Sequence, residues 1–340
     1  MRRWAARSLA ALALLMACVM PVRGESRSHG YLFLPFEDRA PDPSRDWMQE
    51  AMAISLGEYF LAAAQEVIAR DDRLMAMDEL SVPSGAPLTL ATSIKLGRHF
   101  AAGGDGPGAD RLVVGRFTLD QGQIVVSARV LDLDSNRAGS WKQEEGSLKD
   151  LLKIQRALAH ALLRGDGFSG NNLAAASDDT GAGHSFPLVA YESCIRGLIE
   201  VSPGRQQSLF RKALEQSPGY PKASFHLGRI LARGGKSQEA EAVLRKASAE
   251  PVPYIAEYHS LLGILALDAG RLSDAEAEAQ KSLALKDTAE VRILRARIAR
   301  AHDDPETARA ELDRAAALDP DNPDVDTVRR QIEKPAVPRR

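Results

Sequence analysis

The residues of this chain that could do chemistry are few and poorly arranged for it. The cluster Gly103-Gly104-Asp105-Gly106-Pro107-Gly108 has the composition of a phosphate-cradling loop. It lacks a Gly-Lys-Ser/Thr, and it leads out of a predicted helix into a predicted strand. Amides point at a phosphate in the opposite order, strand into helix, so a connecting loop is the better reading. The seven histidines are scattered, with no His-Glu-x-x-His and no close metal pair. His226 and His259 fall on predicted helices as packed or solvated side chains. The acidic pairs Asp71-Asp72, Asp178-Asp179 and Asp303-Asp304 lie at predicted turns or in a polar stretch, where solvation or helix capping accounts for them more simply than acid–base work. Cys194 lies in the helical pattern Tyr191-Glu192-Ser193-Cys194-Ile195 and reads as a small core side chain. With no Gly-x-Ser-x-Gly elbow either, the chain is not expected to be an enzyme, and neither metal nor cofactor is expected.

The amino-terminal residues read as an address. Arg2, Arg3 and Arg7 precede the apolar stretch from Ser8 to Met20, and Val22-Arg23-Gly24 offers a cleavage site. That stretch, at about 13 residues, is shorter than the roughly 20 that span a bilayer as a helix. Residues 1–24 are thus an expected signal peptide, and the protein is expected to be exported to the periplasm or cell envelope. A competing site, Leu15-Met16-Ala17-Cys18, looks like a lipobox, which makes Cys18 a candidate for lipidation. Only that modification would bring a membrane into play. Cys18 and Cys194 are the two cysteines, so once the signal leaves no disulfide is available. The formal net charge is −2 with no basic block, which argues against nucleic acid as a partner.

Two modules must position whatever function remains. The stretch from 165 to 186 is rich in Gly, Ser, Asn and Asp and reads as a flexible linker between an amino-terminal module (29–164) and a carboxyl-terminal one (187–334), with a disordered tail at 335–340. In the first module Tyr31-Leu32-Phe33-Leu34 reads as a strand. Ser44 caps a helix carrying Trp47, Met48, Met52, Leu56 and Phe60, and a second helix runs from about Thr89 to Phe100. Period-two alternation on either side of Asp120-Gln121-Gly122 predicts a hairpin, followed by a strand at 138–143 and a helix at 147–163. Helices covering one face of a small mixed sheet make this an α+β domain. In the second module small and apolar residues recur about every 34 residues, the pattern of stacked helical hairpins. Anchors are Leu227-Gly228 with Ala240, Leu244 and Ala247, Leu262-Gly263 with Ala275 and Ala279, and Ala308, Leu312 and Ala315.

The first module resembles the TolB amino-terminal-like domain, with related domains in the FlgO and CsgG families. The likeness rests on the strand before Pro35-Phe36, on Asp46-Trp47-Met48-Gln49-Glu50-Ala51-Met52, on Ala109-Asp110-Arg111-Leu112-Val113-Val114-Gly115 and on Val126-Ser127-Ala128-Arg129-Val130-Leu131-Asp132. It implies a fold and an envelope setting, and, if Cys18 is lipidated, an anchored, oligomerising secretion or assembly component. The second module is similar to tetratricopeptide repeats starting near 187, 221, 256 and 289, an all-α solenoid closed by an amphipathic cap from Val325 to Ile332. The first repeat departs from the family, with Ser193-Cys194 in place of Leu-Gly. Its apolar groove positions Leu188, Tyr191, Ile195 and Leu198 imply contact with protein close by.

The tetratricopeptide resemblance implies a concave groove lined by fixed positions of each first helix. Here these include Lys222, Phe225, Arg229 and Arg233, then Ile264 and Asp268, then Arg297 and Arg300. An acidic segment or chain terminus of a protein partner is expected to dock there, which makes the chain an expected scaffold or adaptor.

Overall fold

A computed structural model describes residues 29–83, 88–101, 108–168, 186–247, 255–320 and 322–333. The expected signal peptide with Cys18, the glycine cluster at 103–107, linker residues 169–185 and the tail at 335–340 lie outside the described residues.

The amino-terminal sheet is built on one long hairpin. β1 (Gly30–Phe33) and β2 (Glu37–Asp38) run parallel to β4 (Arg111–Asp120), and β3 (Glu66–Val67) lies parallel to β1. β4 turns back through Gln121-Gly122 into β5 (Gln123–Asp132), paired from Asp120 opposite Gln123 to Arg111 opposite Asp132. β6 (Arg137–Ala138) and β7 (Lys142–Ser147) both pair with β5, giving the order β3, β1, β4, β5, β6.

Helices cover both faces, not the expected one. α1 (Trp47–Ala62) and α4 (Leu151–Gly165) bury Tyr31, Phe33, Val113, Phe117, Val126 and Ala128. α2 (Arg70–Glu79) and α3 (Leu90–Ala101) lie over Leu32, Leu34, Leu112 and Leu131. The reason is legible in β1: both alternations of Tyr31-Leu32-Phe33-Leu34 are apolar, as in strands buried on both sides. The pair Asp71-Asp72, expected at a turn, opens α2, where acidic side chains favour the positive end of the helix dipole. Ser44 does not cap α1. It belongs to a short 3-10 turn whose cap is Asp42, accepting from the Ser44 amide at 2.9 Å. Asp166 and Phe168, placed in the expected linker, belong to this domain. The Tyr31 hydroxyl donates to Asp166, the Arg111 guanidinium pairs with Asp166 at 3.4 Å, and Phe168 joins the core.

The rest is a stack of four helical hairpins and a closing helix: α5 (Leu188–Ile199) with α6 (Pro203–Gln216), α7 (Pro221–Arg233) with α8 (Ser237–Arg245), α9 (Ile255–Asp268) with α10 (Leu272–Leu285), α11 (Ala289–Ala301) with α12 (Pro305–Leu318), then α13 (Pro323–Glu333). In the last three hairpins one residue of the turn is left-handed: Gly235 (φ 73°), Gly270 (φ 74°) and Asp303 (φ 61°). That conformation reverses the chain after a helix. Asp304 then caps α12, accepting from the Thr307 amide at 3.0 Å. Buried glutamates occupy equivalent places in α10 and α12. Glu278 accepts from His259 at 2.6 Å and from Lys281 at 2.8 Å, and Glu311 pairs with Arg292 at 2.8 Å and Arg295 at 3.1 Å. Burial opposes ionisation of Glu311, but these arginines outweigh it and hold its pKa below the usual carboxylate range. α13 buries Val325 and Val328 against the last hairpin and closes the stack.

The repeat period follows from helix approach. A Cβ on Gly228 would lie 2.7 Å from Leu244 Cγ, and one on Gly263 2.6 Å from Leu294 Cδ2. Gly228→Val should therefore cost about 1–3 kcal/mol through overpacking, measured by urea unfolding. An unchanged midpoint would mean that the helices have room to spare.

Candidate functional site

The expected groove draws on the first helices of the hairpins, and the first of these, α5, meets the α+β domain. Leu188, Tyr191, Ile195 and Leu198 of α5 pack into the core formed by α1, α4 and the sheet. That meets the expectation of nearby protein contact for the degenerate first repeat. At the seam the Tyr191 hydroxyl lies 2.7 Å from Ser55 Oγ, receives the Gln155 amide at 3.0 Å and lies 3.3 Å from the Ala51 carbonyl oxygen. Trp47 meets the Tyr191 ring edge-on at 5.9 Å, and Arg196 donates to the Ser44 carbonyl at 2.8 Å. Cys194 is fully buried just behind, and burial pushes its thiol up to about 12, which keeps it protonated and unreactive.

This seam redraws the expected groove. Lys222 is 8% exposed and its ammonium sits 2.5 Å from Glu58 of α1. Burial pulls the Lys222 pKa down, but the Glu58 carboxylate outweighs it and holds the ammonium above its usual value. Lys222 is thus a contact between the solenoid and α1 of the α+β domain. Phe225 is buried in the solenoid core, stacked near Tyr258 at 6.4 Å, with the Arg229 guanidinium 5.8 Å from its ring. Arg297 pairs with Asp268 of the preceding repeat at 2.6 Å, and Arg300 with Asp303 at 3.4 Å. Arg229 and Arg233 remain exposed, and among the described residues neither makes an ion pair. Packing around Arg229 and the like charge of Arg233 lower the Arg229 pKa, while Asp71 of α2 acts in the opposite sense.

His226, beneath these arginines on α7, stacks on Phe210 at 5.5 Å. Its pKa falls to about 3, first through burial and then through Arg229 and Lys222. Among the described residues no group of three or more His, Cys, Asp or Glu could hold a metal ion. Nor is any described helix long and apolar enough to cross a membrane.

Sequence reading missed Glu58 and Gln155 as partners of the solenoid, because nothing in a helix pattern tells which external helix will face it. Tyr191 carried a partial signal: a phenol among the apolar positions Leu188, Ile195 and Leu198 of the same helix face.

Residues 207–265 and 259–323 match the Tetratricopeptide repeat family. A tetratricopeptide-repeat region thus spans residues 207–323 of the helical stack. No curated protein matches the sequence. Among solved structures, TTC0263, a thermophilic TPR protein of Thermus thermophilus, is 17% identical over 54% of this chain and 95% of its own, with a TM-score of 0.33. PilW, a type IV pilus biogenesis factor, is 20% identical over 53% and 94%, with a TM-score of 0.27. The LpoB C-terminal domain from Salmonella enterica is 11% identical over 37% of this chain and 87% of its own, with a TM-score of 0.30.

Two outcomes test the seam and the buried ring. Glu58→Gln leaves a buried ammonium without its counter-charge and should destabilise the chain more than Lys222→Met, by about 1–3 kcal/mol in thermal or urea unfolding; equal effects would show that the pair is solvated. Because the His226 pKa is depressed in the folded state, its contribution is complete above pH 6.5 and is lost as pH falls towards about 3. His226→Phe, which keeps the stacking, should lose less of its melting temperature than the wild type across that interval.

Proposed function

We propose that this protein is an exported scaffold or adaptor that recruits a protein partner through its tetratricopeptide-repeat groove. The observation that supports this is the pair Arg229 and Arg233: two exposed guanidiniums on one face of α7, with no carboxylate of the described chain paired to them. Such groups cost little to leave in water and gain charge-assisted hydrogen bonds when a carboxylate arrives. An acidic segment or chain terminus is the partner chemistry that fits. Arg297 and Arg300 form a second arginine pair on α11, but they would first have to give up Asp268 and Asp303. Lys222 and Phe225 act in this reading as supports: the first fixes α7 to α1, and the second underlies Arg229.

The joined domains support a scaffold in another way. The groove is presented from a base fixed by Tyr191 and Lys222, so a bound partner would be held at a set orientation to the α+β domain. The positive, apolar and small-residue pattern of the amino terminus supports export, to the periplasm or envelope. A mature terminus at Glu25 in the soluble fraction would mean a free protein, and a lipid-modified Cys18 an anchored one.

Arg229→Glu with Arg233→Glu should weaken a partner isolated with the wild-type chain by about tenfold or more, measured by calorimetry. Unchanged affinity for that partner would remove the arginine pair from the binding surface.

A further inference from the structure

Helices α2 and α3 cover only part of their face of the sheet. Beyond them the face opens into a cleft of about 480 Å³, within the size range of small-molecule sites. Its polar wall is Arg116 of β4, Arg129 of β5 and Trp141 just ahead of β7; its apolar side includes Leu34, Met77 and Val114. Strand pairing brings these groups together. Val114 lies opposite Arg129 and Arg116 opposite Ser127, so the two arginines stand diagonally on the same face. Both guanidiniums lie over the indole of Trp141, at 4.5 and 4.7 Å from the ring centroid. The indole remains 40% exposed.

Neither arginine of this cleft is ion-paired among the described residues. Among the described residues five arginine Nε atoms are buried without a hydrogen bond: those of Arg45, Arg70, Arg73, Arg111 and Arg129. The first four belong to guanidiniums with a carboxylate within 4 Å. Among the described residues Arg129 has none, and neither has Arg116. The two acids that line the cleft are engaged elsewhere: Asp38 is buried against Arg45 at 3.6 Å and accepts from the Ala40 amide, and Glu37 faces Arg39 at 3.4 Å. The first turn of α3, through Leu90 and Ser93, opens on to the same space, and the partial positive charge of a helix start adds to the field.

We infer that this cleft binds an organic carboxylate carrying a flat apolar body. The carboxylate meets Arg129 and Arg116, whose planar forks match its geometry. The apolar body lies against Val114, Leu34 and the free edge of Trp141. Such a group is carried by a free aryl acid, or by a peptide that ends in an aromatic residue. This site is separate from the repeat groove and does not depend on the role proposed for Arg229 and Arg233.

The full chain should bind 3-phenylpropionate saturably in calorimetry, with a change in indole emission that Trp141→Phe removes. Its neutral isostere 3-phenylpropanamide should bind at least about tenfold more weakly, and Arg116→Gln with Arg129→Gln should abolish binding while the circular dichroism spectrum is unchanged. Acetyl-Ala-Ala-Phe with a free carboxylate identifies the source: tighter binding than phenylpropionate assigns a peptide terminus, and weaker binding a free acid. The inference is overturned if the amide binds as well as the acid, if the double variant binds as well as the wild type, if inorganic phosphate binds as tightly as phenylpropionate, or if phenylpropionate does not bind at all.

Discussion

The hydroxyl of Tyr191 has to be buried and has to be paired, and the two halves of the molecule meet where both conditions hold. A phenol removed from water without partners costs about 1–3 kcal/mol. Here Ser55 and Ala51 of α1 and Gln155 of α4 supply the partners. All three groups converge only where α1 and α4 lie side by side, so the first hairpin is fixed to both helices at once. A helical stack needs a cover at each end. At the far end α13 provides it with Val325 and Val328; at the near end the α+β domain does, which is why the first repeat can lack Leu-Gly and carry apolar groove positions.

The same seam determines which part of the groove is open. Lys222 was expected to line the groove, yet α1 reaches it with Glu58 and removes it from solvent. Further along α7, Arg229 and Arg233 keep exposed side chains, and among the described residues neither makes an ion pair. Charge in the later repeats is neutralised along the stack by pairs such as Arg297 with Asp268. Among the described residues, the arginines of α7 without an ion pair, Arg229 and Arg233, lie on the same helix as Lys222, which faces the α+β domain. On the other side of that domain Arg116 and Arg129 repeat the pattern in a sheet, held by an indole instead of a helix.

Much of the architecture was legible in local patterns. The hairpin about Gln121-Gly122 follows from period-two alternation. The repeat starts at 221, 256 and 289 coincide with α7, α9 and α11 within a residue, because small side chains recur wherever two helices touch. α2 was not legible: Arg70-Asp71-Asp72-Arg73 looks like a solvated turn, and its helix depends on Arg73 reaching the Phe33 carbonyl at 2.7 Å and Glu50 at 2.6 Å. The second covered face of the sheet was missed because α2, which lies on it, was not read, and because the pattern of α3, though legible, does not tell which face of the sheet it covers. Of the groove set, the residue types were legible but their availability was not. Arg229, Arg297 and Lys222 look alike in a repeat alignment and differ in what stands across from them.

By itself the sequence determined the periodicities: two residues in the hairpin, about 34 in the stack, and with them the order of an α+β domain before a solenoid. These are properties of neighbours along the chain, written by backbone geometry into side-chain spacing. The tertiary structure alone decided which charges are satisfied. Lys222 with Glu58, Tyr191 with Gln155, and Arg129 with no carboxylate among the described residues are relations between segments far apart in the chain. Electrostatic and hydrogen-bond energies depend on distance and burial in space, which a one-dimensional pattern does not contain.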